Sequence, residues 1–135
     1  MGGTYTILVE LPTDATIRFG AVGERRLAAG FYAYVGSALG PGGFARLTRH
    51  HDIANGTNNT RHWHIDYLLG HAETTIVDTV KTAGCAAECR IAQAIDGTPI
   101  DGIGASDCSC GSHLVFSDDP ERLLASVETA HAAHS

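Results

Sequence analysis

The stretch "FYAYVGSALGPGGFA" at residues 31–45 is the feature that most restricts how this chain can fold. Its aromatic and β-branched first half suits a strand, because such side chains pack well on a pleated surface. Four glycines and a proline follow within eight residues, and these residue types interrupt regular structure most strongly. Phe44, Leu47 and His51 then recur at helical spacing. The stretch therefore predicts a strand, a tight connection and a helix in succession.

The length of 135 residues and the hydrophobic content of 44% predict a single domain, residues 1–135, with one core. No apolar run approaches the roughly eighteen residues of a membrane span, so we expect no membrane partner. The first residues lack the basic and apolar regions of a secretory signal. Four cysteines without an export signal suit a reducing compartment. We therefore expect a soluble, cytoplasmic protein.

Hydrophobic periodicity predicts eight elements in the order β, β, β, α, β, α, β, α. The predicted strands cover residues 4–11, 15–19, 31–36, 74–80 and 113–116. The predicted helices begin after the glycines near residue 44 and cover 85–95 and 120–131. Residues 15–19 are predicted to form a hairpin with the first strand, and 20–30 a polar excursion. This order indicates a mixed sheet with helices packed against it.

Charge is distributed unevenly in a chain whose net charge is −6. Between Gly42 and His64 there are three arginines and four histidines against Asp52. Arg46 and His50 are four residues apart, so they share one face of the predicted helix. The net acidity argues against a protein that coats DNA non-specifically. One face could nevertheless be locally cationic.

Glu88 stands in an unusual place for an acidic residue. In the predicted helix 85–95 the apolar Ile91, Ala92 and Ile95 form one stripe, and Glu88 falls in the middle of it. A carboxylate on a core-facing stripe is costly unless a cation or a metal compensates it. Glu88 is therefore either half of a structural salt bridge or a metal ligand.

Two short strand motifs, "GTY" at residues 3–5 and "YVG" at residues 34–36, precede the cationic helix. Arg46 stands ten residues after the second motif, His50 follows one helical turn later, and Glu88 is on a later helix. This ordered set resembles the GIY-YIG nuclease superfamily, named for two such motifs before a helix with a catalytic arginine. The segments "HWHIDYLL", "GCAAEC" and "SDCSCGSHL" are similar to its Uri-type branch, found largely in archaea.

The resemblance implies an α+β fold with a small mixed, mainly antiparallel β-sheet and flanking helices. It also implies an endonuclease that hydrolyses single-stranded or structured DNA, as in repair, with one Mg²⁺ or Mn²⁺ ion at Glu88. Tyr34 or His50 would accept a proton from the attacking water. Arg46 would stabilise the charge that develops on the phosphate. Tyr5 would orient the water or the base.

The resemblance also points to contacts with the nucleic-acid backbone. Ser37 occupies the place of a lysine that follows the second motif in the repair nuclease. His62 and His64 are predicted to lie on one face of a strand, with Trp63 in the core behind them. The predicted contact residues are Gly36, Ser37, Arg49, His51, Arg61, His62 and His64.

The cysteines form a second group of candidate ligands. Cys85 and Cys89 are one helical turn apart, whereas Cys108, Cys110 and His113 lie close together in sequence. Such a set could hold a structural zinc ion. Its spacing is looser than that of paired CxxC motifs, so buried thiols are the alternative.

Two other functions remain open at this stage. A non-catalytic nucleic-acid-binding module, with or without zinc, could keep the same fold. "GPGGFA" at residues 40–45, with Asp66 about twenty residues later, fits the dinucleotide-binding fingerprint. Against that function, the strand before these glycines is the third predicted element instead of the first. The remaining chain also has no room for a second mononucleotide-binding half.

Overall fold

A computed structural model of the protein describes residues 3–18, 23–37, 52–54, 64–69, 74–83, 88–100 and 113–133. The strands in these ranges are β1 Gly3–Leu11, β2 Ala15–Arg18, β3 Glu24–Leu27, β4 Gly30–Ser37, β5 Thr75–Ala83, β6 Thr98–Pro99 and β7 Leu114–Ser117. The helices are α1 His64–Leu69, α2 Glu88–Ala94 and α3 Pro120–Ala132. Residues 52–54 are also helical. No helix in the described ranges combines the length and the apolarity needed to cross a membrane.

Within the described ranges, five strands form the main sheet in the order β5-β1-β4-β7-β6. Each pairing in it is antiparallel. β1 lies between β4 and β5, so both of its hydrogen-bonding edges are used. The predicted α+β fold, a mainly antiparallel sheet with flanking helices, is confirmed.

The prediction that residues 15–19 form a hairpin with the first strand is wrong. Residues 15–18 pair with β3 in a separate two-stranded sheet and not with β1. The reason is that β4 and β5 already occupy the two edges of β1. β3 lies within the predicted polar excursion, and three of its four residues are charged, which hides its strand character in the sequence.

Alternation along the strands gives the main sheet two apolar faces. We call one of them the tyrosine face, because Tyr5 and Ile7 of β1 and Tyr32 and Tyr34 of β4 belong to its core. Other elements contribute Ile17, Leu27, Ile53, Leu68 and Leu69 to the same core. The β2–β3 hairpin, residues 52–54 and α1 therefore pack on the tyrosine face.

The opposite face, which we call the helix face, presents Leu8, Ala33 and Val35. α2 and α3 cover it with Ile91, Ala92, Ile95, Leu123, Val127 and Ala130. The apolar stripe predicted at residues 91, 92 and 95 is thus buried, as expected. α3 begins at Pro120, and the Asp119 carboxylate accepts hydrogen bonds from the next free backbone N–H groups at 3.1 and 3.2 Å. This is the capping arrangement that helix starts favour.

A buried histidine fastens the end of α3 to the sheet. His131 Nε2 lies 2.7 Å from Thr6 Oγ1 on β1, and its Nδ1 lies 2.8 Å from Thr82 Oγ1 on β5. A hydroxyl can donate or accept, so either neutral tautomer of the ring is satisfied. The network removes the cost of burying these polar groups in an otherwise apolar layer.

Strand β5 contains a β-bulge. Leu8 of β1 pairs with Asp78, whereas the next residue, Val9, pairs with Ile76. Val77 is therefore an extra residue in β5, and 48% of its surface is exposed. Bulges of this kind increase the local twist of a strand.

Tyr32 is buried on the tyrosine face beneath the turn that precedes β4. Its hydroxyl donates a 2.7 Å hydrogen bond to the carbonyl of Ala28, and its ring packs against Phe116 with centroids 5.1 Å apart. Burial, and to a lesser extent the negative charge of Asp14, raises the pKa of Tyr32 to about 12.

Thr82→Val is expected to lower the free energy of unfolding by about 1–3 kcal/mol, because it leaves a buried ring nitrogen of His131 without its partner. Urea unfolding measures the change. Thr75→Val, at an exposed position of the same strand, serves as control and should alter stability by less than about 0.5 kcal/mol. Equal effects of the two substitutions would contradict the role given to the His131 network.

The raised pKa of Tyr32 predicts that the free energy of unfolding depends on pH in the alkaline range. Its pKa is about 12 in the folded protein and about 10 in an unfolded chain. Folding therefore favours the protonated phenol, and this contribution is present below pH 10 and is lost between about pH 10 and 12. Tyr32→Phe retains the ring and removes the titrating group, so its stability should fall less steeply than that of the wild type over this range. Urea unfolding at a series of pH values tests the difference, and parallel curves would contradict it.

Candidate functional site

The strands that carry the two sequence motifs are neighbours in the sheet. Tyr5 of β1 pairs with Gly36 of β4, and Ile7 pairs with Tyr34. Tyr5 and Tyr34 are therefore diagonal neighbours on the tyrosine face, a spacing at which aromatic side chains can interact. The structure brings together the tyrosines of "GTY" and "YVG", which are far apart in sequence.

Gly36 lies directly against the ring of Tyr5. A Cβ atom at Gly36 would be 2.5 Å from Oη and 2.6 Å from Cζ of Tyr5. Such distances are far below van der Waals contact, so any side chain here would displace the ring. The sequence predicted Gly36 as a nucleic-acid contact. Its steric role toward Tyr5 depends on strand register and has no separate signal in the sequence.

Packing holds both tyrosines in place. Tyr5 is 2% exposed and Tyr34 is 7% exposed, and both belong to the core that also contains Ile53 and Leu68. Ordinary aromatic packing accounts for this burial by itself. A rigidly packed ring is also what a catalytic hydroxyl needs, because its orientation is then fixed before the substrate binds.

The segment predicted to carry the cationic helix is attached to the tyrosine face at both ends. It begins after Ser37, the last residue of β4. It ends at the helical residues 52–54, where Ile53 packs into the tyrosine-face core. The predicted site residues within it, Arg46, Arg49, His50 and His51, lie outside the described residues. The described residues that flank this segment are Ser37, at the end of β4, and Ile53, which belongs to the same core as the two tyrosines.

Glu88 is the first residue of α2, and its side chain lies outside the described part of the chain. α2 packs on the helix face, opposite to the tyrosines. Gly3 pairs with Ala83 at the end of the sheet that contains Gly36. Glu88 follows Ala83 by five residues, which span at most about 18 Å. The chain thus keeps the first residue of α2 within about 18 Å of Ala83.

His64 does not lie on a strand, so the strand predicted for His62 and His64 is wrong at this position. His64 is the first residue of α1. Leu68 and Leu69 of this helix are fully buried on the tyrosine face. The burial of two consecutive residues fits one side of a helix and not the alternation of a strand. Arg61 and His62 lie outside the described residues.

The candidate zinc ligands are described only in part. Cys85, Cys108 and Cys110 lie outside the described residues, and Cys89 follows Glu88 in α2, with its side chain undescribed. His113 is buried, and its carbonyl accepts a 2.9 Å hydrogen bond from the N–H of Val35. Among the described residues, no group of three His, Cys, Asp or Glu side chains could hold a metal ion. Zinc at the cysteines stays a prediction.

The fold argues against dinucleotide binding. That fingerprint belongs to a largely parallel sheet in which the glycines follow the first strand. Here the strand before the glycines is β4, and the pairings of the main sheet are antiparallel in the described part of the chain. Asp66, the candidate ribose ligand, lies within α1.

Gly36→Ala is expected to cost about 1–3 kcal/mol of stability, since the added methyl group overlaps the Tyr5 ring and forces it to move. In a Tyr5→Leu background, where the ring is absent, the same substitution should cost less. A double-mutant cycle by urea unfolding measures this coupling. An equal cost in both backgrounds would show that Gly36 does not act through Tyr5.

Comparison with known proteins gives one family. The chain matches the family model described as "Domain of unknown function DUF123" over residues 4–135. Comparisons with curated proteins and with solved structures gave no match. The matched region comprises all but the first three residues. This chain therefore belongs to the family described as DUF123.

Proposed function

We propose that this protein is a GIY-YIG-type endonuclease of the Uri-type branch, which uses a divalent metal ion to hydrolyse phosphodiester bonds in DNA. The observation that carries the proposal is the pairing of Tyr5 with Gly36 on adjacent antiparallel strands, with Tyr34 beside them on the same face. We infer single-stranded or branched DNA as substrate, and a cytoplasmic role in repair. These finer points rest on the sequence resemblance.

The chemistry of the available donors fits one Mg²⁺ or Mn²⁺ ion. Mg²⁺ is commonly bound by one or two carboxylates, with waters and substrate phosphates completing its coordination. A single acidic residue, Glu88, at the start of a helix suits this mode. When bound, the ion would polarise a phosphate oxygen and stabilise the leaving oxygen.

Protein side chains would carry out proton transfer, orientation of the water and stabilisation of the charge on the phosphate. Tyr34 or His50 takes the proton from the attacking water, and Tyr5 orients that water or the base. A tyrosine can act in this way only where nearby positive charge favours its anion. Arg46 supplies this charge, and its planar guanidinium also suits bidentate contact with the phosphate as negative charge develops there.

Backbone contacts to the substrate would surround this site. Gly36 and Ser37 end strand β4 beside Tyr5. His64 begins α1, which packs on the tyrosine face. Together with Arg49, His51, Arg61 and His62, these residues form the proposed contact rim, in which the arginines and protonated histidines supply positive charge. Electrostatic contacts of this kind supply most of the non-specific affinity for nucleic acid.

The proposal is tested with labelled single-stranded, duplex and branched DNA, with and without Mg²⁺ or Mn²⁺. The wild type should cleave at least one substrate only when metal is present. Glu88→Ala should lower cleavage by at least about 100-fold, because the charge stabilisation by the ion is lost, and should still bind the DNA. Glu128→Ala removes a carboxylate from an exposed position of α3 and should cleave like the wild type.

The same experiment separates the nuclease from a non-catalytic binding module. Binding without cleavage under every metal and salt condition would contradict the nuclease and favour the binding module. Elemental analysis of the purified protein would then report whether zinc is present. Cleavage that persists in Glu88→Ala would contradict the role given to this residue.

A further inference from the structure

Lys81 of β5 lies beside the tyrosine pair of the proposed cleavage site. It is the only lysine in the sequence, and it pairs with Tyr5 of β1. Directly paired residues share a face, and their Cβ atoms are about 5 Å apart. Tyr5 pairs with Gly36 on its other side. Lys81, Tyr5 and Gly36 therefore form one row across the tyrosine face.

The charged residues of the main sheet are divided between its two faces. Within the described ranges the five strands contain three such residues, Glu10, Asp78 and Lys81. Asp78 pairs with Leu8, which belongs to the helix-face core. Glu10 follows Leu8 by two residues on β1, so alternation puts it on the helix face as well. Among these strand residues, the tyrosine face thus has the positive charge of Lys81 and neither of the two acidic side chains.

Lys81 also marks the border between the buried tyrosines and the solvent. Tyr5 is 2% exposed, whereas Lys81 beside it is exposed. The Tyr5 hydroxyl lies over Gly36, so the ring extends toward β4, and Lys81 flanks Tyr5 on the side of β5. β5 is the outermost strand on its side of the sheet within the described ranges. A DNA strand that crosses this edge toward the tyrosines would therefore come next to Lys81.

We infer that the Lys81 ammonium group binds a backbone phosphate of the DNA strand held at the tyrosine pair, and so anchors that strand at the β5 edge of the tyrosine face. The inference rests on the proposed function, because it takes the tyrosine face as the surface that DNA occupies. An ammonium group on a flexible four-carbon stem offers three donors to phosphate oxygens. Contact with the backbone adds affinity without reading bases.

The affinity for DNA tests the inference without requiring cleavage. Fluorescence anisotropy in EDTA, at salt concentrations from about 50 to 200 mM, uses whichever labelled DNA the wild type binds best among single-stranded, duplex and branched forms. Lys81→Gln should bind about tenfold more weakly at low salt, because it loses a hydrogen bond between charged groups. Its salt slope should be smaller by about 0.7 on single strands or about 0.9 on duplex DNA. If the wild type also cleaves, Lys81→Gln should raise KM and leave kcat nearly unchanged.

Two further variants show whether the effect comes from positive charge at this position. Lys81→Arg keeps the charge and should retain most of the affinity and the salt slope. Arg122→Gln removes the same charge from α3, where the Arg122 side chain is 70% exposed. α3 covers the helix face and follows Ser117, which pairs with Phe31 at the end of β4 far from Gly36. This control should therefore bind DNA like the wild type. Thermal unfolding confirms that each variant is folded.

Chemical modification of lysine reports on Lys81 directly, because the sequence has no other lysine. In an Arg122→Lys protein, the amine introduced on α3 provides an internal control. An amine-specific acetylating reagent is added with and without DNA, and mass spectrometry of the peptides measures the rate of modification at both positions. DNA should slow the modification of Lys81 and leave that of the introduced amine unchanged. This measurement needs no substitution at Lys81.

The outcomes separate this inference from the proposed function. If the wild type binds DNA, and either Lys81→Gln binds with the same affinity and slope or DNA does not slow the modification of Lys81, the inference is overturned and the nuclease proposal is untouched. An equal loss in Arg122→Gln would also overturn it, because only the total charge would then matter. A loss that Lys81→Arg shares would overturn it too, since positive charge would not be the cause. If the wild type neither binds nor cleaves any nucleic acid, both proposals fail together.

Discussion

The pairing of β1 with β4 is the interaction on which the rest of this structure depends. Its register sets Tyr5 opposite Gly36 and Ile7 opposite Tyr34. A shift by one residue would send these side chains to the helix face and would dismantle both cores at once. The Tyr5 ring holds the register from one side, because it fits only where β4 has a glycine. Core packing and the geometry of the candidate site therefore have a common origin.

Much of the fold can be predicted from the sequence, because most elements have a clear period. The strands at residues 4–11 and 31–36 and the helix that begins at Pro120 are confirmed. The pairing of residues 15–18 could not be predicted locally, since it depends on which strands occupy the two edges of β1. β6 consists of two residues, too few for a periodic signal. His64 was misassigned because a short segment of alternating polarity can also begin a helix.

The candidate site could be predicted as a set of residue types, but not as an arrangement. The motifs identify Tyr5 and Tyr34, and the strand register makes them diagonal neighbours on the tyrosine face. The contact between Tyr5 and Gly36 could not be predicted, because it joins residues of separate strands. The faces of the β2–β3 hairpin also could not be predicted, because only the pairing of its strands puts Ile17 and Leu27 on the buried side and Arg18, Glu24 and Arg26 on the exposed side.

The bulge at Val77 bears on whether two copies of this protein can associate through the edge of β5. β5 is the outermost strand on its side of the sheet within the described ranges, and a long, flat outer strand is a template on which other chains can polymerise. Bulges bend the strand that contains them, and β5 also carries the exposed residues Asp78 and Lys81. A second chain could follow the strand for only a few residues before its hydrogen bonds lost alignment. Irregularities and charges of this kind are among the features by which natural sheets limit pairing between the edges of neighbouring molecules.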